Sequence, residues 1–375
     1  MYVACILGAG GIGSAVSVLL RQLYGPKVDI YIGDIRMDAC HQAKEWILSS
    51  GDVDGEVHCF DMNEDWVTQL NAANVNIVLD CLPGKMAPKM AKVALGWNAH
   101  YVNLTEYVAE TKEIMAMAEG AQSAFGLQSG VAPGFVNVLG KKLFEEFCSE
   151  YHVQKADRLE MRVGALSRNA VAPHFYAFTW STIGVATEYV KPAEVVRNHE
   201  FMTVPSLSER RQILVDGLLL EEDLTSGGAA DLPMTYKDRI ANIDYKTFRY
   251  PGHWEWVDSK LAEIPDGADV IAELENHMLA NIPSVEADLI VVYAAVEGKD
   301  QKGHLRRIGA SYRVEPMKIG AVTLRAIQST TAAGMAEVAR MLLEGDMKGV
   351  VLQSSLDAEN YLSGPFVSAI YGERR

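Results

Sequence analysis

An apolar run, Tyr2 to Leu7, breaks straight into Gly8-Ala9-Gly10-Gly11-Ile12-Gly13, and an amphipathic stretch with Val16, Leu19, Leu20 and Leu23 follows. Few backbone arrangements let a strand end in a tight turn and feed a helix whose N-terminus faces an anion. The spacing Gly8, Gly10, Gly13 fits the dinucleotide turn. The first glycine permits the turn, the second lets a pyrophosphate approach the backbone, and the third lets helix pack on strand. Gly11 and Ile12 lie in the same turn and are read with it as cofactor-binding. A second run, Val28 to Ile32, leads to Asp34, about twenty residues past the last glycine, where a carboxylate takes both ribose hydroxyls. Such a carboxylate repels a 2′-phosphate, so the pattern predicts NAD rather than NADP. Arg36 is placed to offset part of that repulsion; its other reading is a solvated helix-entry charge.

The chain has 375 residues, 49% of them hydrophobic, enough for two ordinary domains. A formal net charge of −15 repels phosphate backbones and anionic membranes, so neither nucleic acid nor membrane is an expected partner. The five cysteines are odd in number and scattered, without a C-x-x-C, which argues against a disulfide framework and against a metal site. No apolar stretch approaches the ~18 residues of a membrane span. A cleaved leader would remove the first strand. These features predict a soluble protein of a reducing compartment, the cytoplasm.

The first third alternates apolar runs with helical periodicity: helix from Asp38 to Ser50, strand from Val57 to Phe60 ending at Asp61, strand from Val75 to Cys81 closed by Leu82-Pro83-Gly84, helix from Ala87 to Leu95, strand from Tyr101 to Leu104, helix from Val108 to Ala121, and strand from Phe125 to Gln128. This alternation predicts an α/β class: a Rossmann, doubly wound parallel sheet with ligand at the carboxyl ends of its strands. Asp61 then neighbours the adenine, while Leu82, Pro83, Glu106 and Ser129-Gly130 stand at the rim. Near residue 130 the pattern changes. After a helix from Phe135 to Phe147 come strands at Arg158 to Gly164, Tyr245 to Tyr250, Leu289 to Val296 and Leu305 to Val314, the last two joined by a polar turn, Gly298 to Gly303. Antiparallel strands with interspersed helices predict an α+β second domain. The expected division is an NAD-binding domain over residues 1–130, with 327–375 returning to it through a helix at Ala332 to Leu343, and a substrate, catalytic and dimerisation domain over 131–326. The active site is expected between them.

Several strings carry a family resemblance: Leu82-Pro83, Tyr101-Val102-Asn103-Leu104, Gly130-Val131-Ala132-Pro133-Gly134, Trp180-Ser181, Val204-Pro205-Ser206-Leu207-Ser208-Glu209, Thr225-Ser226-Gly227-Gly228, and above all Tyr245-Lys246-Thr247-Phe248-Arg249-Tyr250-Pro251-Gly252-His253. Over nearly its whole length the chain resembles the saccharopine dehydrogenase-like oxidoreductases, and among them the lysine 6-dehydrogenases. The resemblance implies oxidation of the ε-amino carbon of L-lysine with NAD, releasing ammonia and a semialdehyde that cyclises. It also implies a homodimer built through the second domain's sheet. The stretch from Arg168 to Trp180, which should help shape the substrate pocket, does not follow the lysine enzymes.

Oxidising an amine by hydride transfer requires the donor carbon held against the nicotinamide, a neutral amine with a base to accept its proton, and a grip on the amino-acid end. Arg249 is the candidate grip, since a guanidinium binds a carboxylate through two parallel hydrogen bonds; otherwise it is a strand arginine paired to a surface acid. His253 is the candidate base, because an imidazole titrates near neutral pH. Thr225, with Ser226-Gly227-Gly228, offers hydroxyls and amides for a carboxylate or ribose. Tyr176 and Trp180 lie four apart, sharing a face if helical, as pocket wall or as core. Lys85 and Glu106 come from the nicotinamide rim as proton relays or as solvated charges, and His174 is a weaker candidate. Two further readings stay open: reductive saccharopine- or carboxyspermidine-type joining of an amine to a carbonyl compound, and a non-catalytic NAD-binding sensor or scaffold.

Overall fold

The computed structural model describes residues 1–51, 55–71 and 73–374. Its chain divides into two compact units, one of 1–135, 317–324 and 328–372, the other of 136–316, 325–327 and 373–375.

The first unit is built on strands β1 (Tyr2–Leu7), β2 (Val28–Asp34), β3 (Val57–Asp61), β4 (Ile77–Asp80), β5 (His100–Asn103) and β6 (Ala124–Gly126), with a seventh strand, Gly349–Val351, from the returning chain. The order is Gly349–Val351, β6, β5, β4, β1, β2, β3, every pairing parallel. Winding proceeds outward in both directions from β1 and β4, so the topological switch lies between those two strands. Ala4 to Leu7 and all of β4 are buried, as a parallel sheet covered on both faces requires. Helices Gly11–Tyr24, Met37–Ser49, Ala87–Gly96 and Val108–Ala118 supply the crossovers. The last ends three residues before the expected Ala121. The returning helix Ala326–Glu344 is longer than the expected Ala332 to Leu343, and the helix Pro365–Tyr371 seats Tyr371 flat on Phe135, 3.6 Å between ring centres.

The second unit begins at residue 136, within the helix Phe135–Tyr151, and holds β7 (Ala156–Ser167), β8 (Ala193–Arg197), β9 (Glu200–Val204), β10 (Arg211–Val215), β11 (Leu218–Leu224), β12 (Ile240–Arg249), β13 (Asp288–Lys299) and β14 (Leu305–Val314). The order is β10-β11-β12-β7-β13-β14, with β8 and β9 joined to β12. This sheet is mixed, not purely antiparallel: β12 runs parallel to β7, because the chain leaves β7 through a long crossover before rejoining it. The β13–β14 hairpin closes where the polar turn was read, with Asp300 N–H donating to the His304 carbonyl at 2.9 Å. Strands β8 to β11 escaped the sequence reading. β9 and β10 are largely exposed, so neither carries the clean apolar alternation that marks a half-buried strand. Among the described residues no helix is long and apolar enough to cross a membrane.

Candidate functional site

In the first unit the three glycines are separable by what a side chain would meet. Gly8 has φ +96°, and a Cβ there would lie 3.1 Å from the Cys81 carbonyl oxygen; at Gly13 it would lie 1.8 Å from the Gly8 oxygen. Those two positions serve the turn and the helix contact. A Cβ at Gly10 would meet nothing within 4 Å, so the protein itself gives no reason for glycine there. The space above Gly10 suits a group that approaches the backbone. No side chain caps the helix Gly11–Tyr24, and no acid occupies its first turn, which leaves its positive end to an external anion.

Asp34, at the carboxyl end of β2, is anchored to this turn. One carboxylate oxygen accepts from Ala9 N–H at 2.9 Å and the other from Arg36 N–H at 3.0 Å. Each oxygen keeps a lone pair for a hydroxyl donor. Beside it Ile35, which the sequence reading passed over, is 66% exposed, an apolar surface next to the ribose position. Arg36 is exposed. The Asp61 carboxylate accepts from Asn63 backbone N–H and Nδ2, both at 2.8 Å, and so shapes its own turn. Leu82 is half-buried and Pro83 exposed after β4. Lys85 is exposed and lines a surface groove with Lys89, Lys92 and Glu110. These residues fit a dinucleotide, with Gly8 to Gly13 at the pyrophosphate and Asp34 at the ribose.

The second unit gathers a buried cluster around Arg249, the last residue of β12. Arg249 is 1% exposed; its Nε donates to Tyr189 Oη at 2.7 Å and its Nη1 to the Phe248 carbonyl at 2.8 Å. Its guanidinium lies 4.7 Å from the Tyr176 ring centre and 5.5 Å from that of Tyr189. Burial opposes its charge, but the Tyr189 and Tyr176 oxygens and the Glu188 carboxylate outweigh that, and the group stays a cation.

His253 follows the turn at Gly252, whose φ of +96° starts the helix His253–Leu261. It is wholly buried. Nδ1 lies 2.7 Å from the His174 carbonyl and Nε2 lies 3.1 Å from Tyr189 Oη. A carbonyl only accepts, so Nδ1 carries the proton and Nε2 accepts from Tyr189. Burial, with the Arg249 charge, lowers the pKa of His253 well below the ordinary histidine value. The ring is neutral and both nitrogens are engaged. A directed chain results: Arg249 donates to Tyr189, Tyr189 to His253, His253 to the 174 backbone.

Tyr176 belongs to this cluster, its ring tilted at 51° to that of His253 with 4.9 Å between ring centres. It does not share a helical face with Trp180. Residues 176 and 177 are irregular, and the helix Thr182–Val190 starts only after the Ser181 cap, because Ser181 satisfies Gly184 N–H at that end. Thr225, just past β11, pairs with Thr247 at 2.7 Å rather than with Arg249. Tyr189 and Glu188, on the helix Thr182–Val190, were not found from sequence; the Ser181 cap was the available signal that a helix carried them.

A doubly wound parallel sheet, with an open glycine turn and a carboxylate anchored beside it, defines a Rossmann-type nucleotide-binding oxidoreductase. Residues 4–125 match the saccharopine dehydrogenase NADP binding domain, and residues 130–369 match the saccharopine dehydrogenase C-terminal domain. The chain belongs to the saccharopine dehydrogenase family. Its fold is shared with the saccharopine dehydrogenase (L-Glu forming) of Saccharomyces cerevisiae, at 13% identity and TM-score 0.78 over 100% of this chain and 99% of that one. It is shared also with a homospermidine synthase of Legionella pneumophila in complex with NAD, at 12% identity and TM-score 0.66 over 100% of this chain and 90% of that one.

Proposed function

We propose that this chain oxidises the C–N bond of an amino-acid-derived amine with NAD, and that its substrate is L-lysine, attacked at the ε-amino carbon. The observation that carries the amino-acid part is Arg249: a buried guanidinium, with Nε held by Tyr189 Oη and Nη1 by the Phe248 carbonyl. The Tyr189 and Tyr176 oxygens and the Glu188 carboxylate hold its positive charge in place, and a ligand carboxylate adds an acceptor in the geometry the guanidinium prefers. With Nε and one Nη1 proton committed, the Nη1–Nη2 edge is the one that would bind a carboxylate through two parallel hydrogen bonds. Tyr189 fixes the guanidinium plane, and neutral His253 fixes Tyr189. On this reading His253 is a positioning residue rather than the base, since it reaches Arg249 only through Tyr189. Tyr176 covers one guanidinium face and keeps water from it. Thr225 acts one step away, through Thr247.

NAD, when bound, supplies the hydride acceptor. The chain's own contribution in the first unit is to bind and orient. Gly8 to Gly13 hold the pyrophosphate on open amides, and Asp34 takes the ribose hydroxyls. Leu82 and Pro83 flank the ring, and Asp34 favours NAD over NADP because a 2′-phosphate would sit against its carboxylate. The family carries the name of an NADP binding domain, so this preference is the sharper claim. Incubating purified protein with L-lysine and either nucleotide at alkaline pH, and following absorbance of the reduced coenzyme, tests both parts. The expected result is reduction of NAD well ahead of NADP; a flat trace from folded, nucleotide-binding protein would exclude lysine. A second reading keeps the family and reverses the direction, joining an amine to a carbonyl compound; the homospermidine synthase that shares this fold supports it. Oxidation of supplied NADH only when amine and carbonyl are both present would favour it.

A further inference from the structure

Asp80 closes β4 directly beside the glycine turn: it pairs in register with Leu7, and Cys81 N–H donates to the Leu7 carbonyl at 2.9 Å. The side chain is 3% exposed. One oxygen accepts from Leu82 N–H at 3.0 Å, and the other accepts from Tyr101 Oη of β5 at 2.7 Å. Tyr101 Oη also lies 3.2 Å from the Ala87 carbonyl. Neither the glycine turn nor Asp34 uses this carboxyl, and among the described residues no cation forms an ion pair with it. It sits on the β4–β5 side of the switch point. Asp34 assigns the adenine end to the β2–β3 side, and a dinucleotide laid across a switch point puts its other ring on the opposite side.

We propose that Asp80 sets the preference of this site for the oxidised over the reduced coenzyme, by holding a fixed negative charge beside the half that takes the nicotinamide ring. The inference rests on the nucleotide reading given above. The oxidised ring is a cation and the reduced ring is neutral, so a buried anion nearby distinguishes them by charge alone. The hydrogen bonds make the charge conditional. Ionised, Asp80 accepts from Tyr101. Protonated, it donates to the Tyr101 oxygen, and Tyr101 turns its own proton to the Ala87 carbonyl, so both states keep their partners. Burial raises the Asp80 carboxyl to about 6, against the opposing hydrogen bonds from Tyr101 and Leu82, which puts the change within an accessible range. The titratable groups facing it are Cys5 of β1, Cys81 and Tyr101. Burial pushes all three upward, and they stay neutral there.

The test is calorimetric binding of NAD and of NADH, separately, to the unmodified protein and to Asp80→Asn, at pH 8 and pH 5. At pH 8 Asp80→Asn should loosen NAD relative to NADH by on the order of ten-fold. Lowering the pH to 5 should move the unmodified protein's ratio the same way and leave that of Asp80→Asn in place. If Asp80→Asn does not fold, the pH dependence of the ratio in the unmodified protein decides alone. A ratio indifferent to both changes, with both nucleotides still bound, overturns this inference only. Failure of the unmodified protein to bind either nucleotide overturns the nucleotide reading and this inference with it.

Discussion

Gly10 and Gly13 are the same residue type three positions apart, yet only Gly13 is demanded by its surroundings. An alanine at 13 drives its Cβ into the Gly8 oxygen at 1.8 Å, whereas at 10 it points into open space. Gly13→Ala should therefore lower thermal stability, by roughly 2–4 kcal/mol through displaced backbone. Gly10→Ala should melt near the unmodified protein and lose NAD affinity ten-fold or more. Differential scanning fluorimetry with and without NAD separates the two; equal melting of both variants would contradict the assignment. Arg249 gives the second prediction at this scale. Arg249→Lys keeps a charge but loses the fork, so KM for the amino acid should rise about a hundred-fold, ~2–3 kcal/mol, while NAD binding stays put. At this scale much was legible. The glycine turn and the strand that ends at Asp34 announce themselves through local spacing, whereas Arg249 reads equally as a substrate grip or as a strand arginine paired to a surface acid. The second half of the cluster does not announce itself, since Tyr189 meets Arg249 across 60 residues of chain and nothing nearby in sequence marks the partner.

Elements explain why that partner was missed. The helix Thr182–Val190 is short, and the irregular stretch before it hides where it begins; the spacing of Tyr176 and Trp180 imitates a helical face that is not there. The helix matters because Tyr189 is the link that passes His253's rigidity to Arg249. Tyr189→Phe removes a donor from His253 and an acceptor from Arg249 at once. Stability should fall by about 1–3 kcal/mol, and KM for the amino acid should rise with little change in the KM for NAD. Steady-state kinetics beside urea unfolding would show it. A variant that lost stability but kept its amino-acid KM would mean the chain of hydrogen bonds is structural only. The exposed strands β9 and β10 were invisible for the opposite reason: they bury too little to impose a period on the sequence.

Over the whole molecule, two buried titratable groups pull stability in opposite directions with pH. His253 is neutral when folded but takes a proton when unfolded below its ordinary value of 6.5, so stability is lost as pH falls through that point. Asp80 is the reverse. The folded state holds its proton up to about 6, the unfolded only to 3.8, so it stabilises as pH falls across that window. His253→Gln should flatten the acid limb of a melting-temperature profile, and Asp80→Asn should steepen it between pH 6 and 4; profiles that coincide with the unmodified protein would refute both signs. The sequence by itself determined the parallel sheet, the glycine turn that joins its first strand to a helix, and the family, because each follows from near-neighbour spacing or from motifs a few residues long. Only tertiary structure decided that β12 runs parallel to β7, that His253 serves Arg249 through Tyr189, and that Asp80 is buried beside the turn. Burial and partnership across distant segments arise when the chain closes on itself, and no short window of sequence records them.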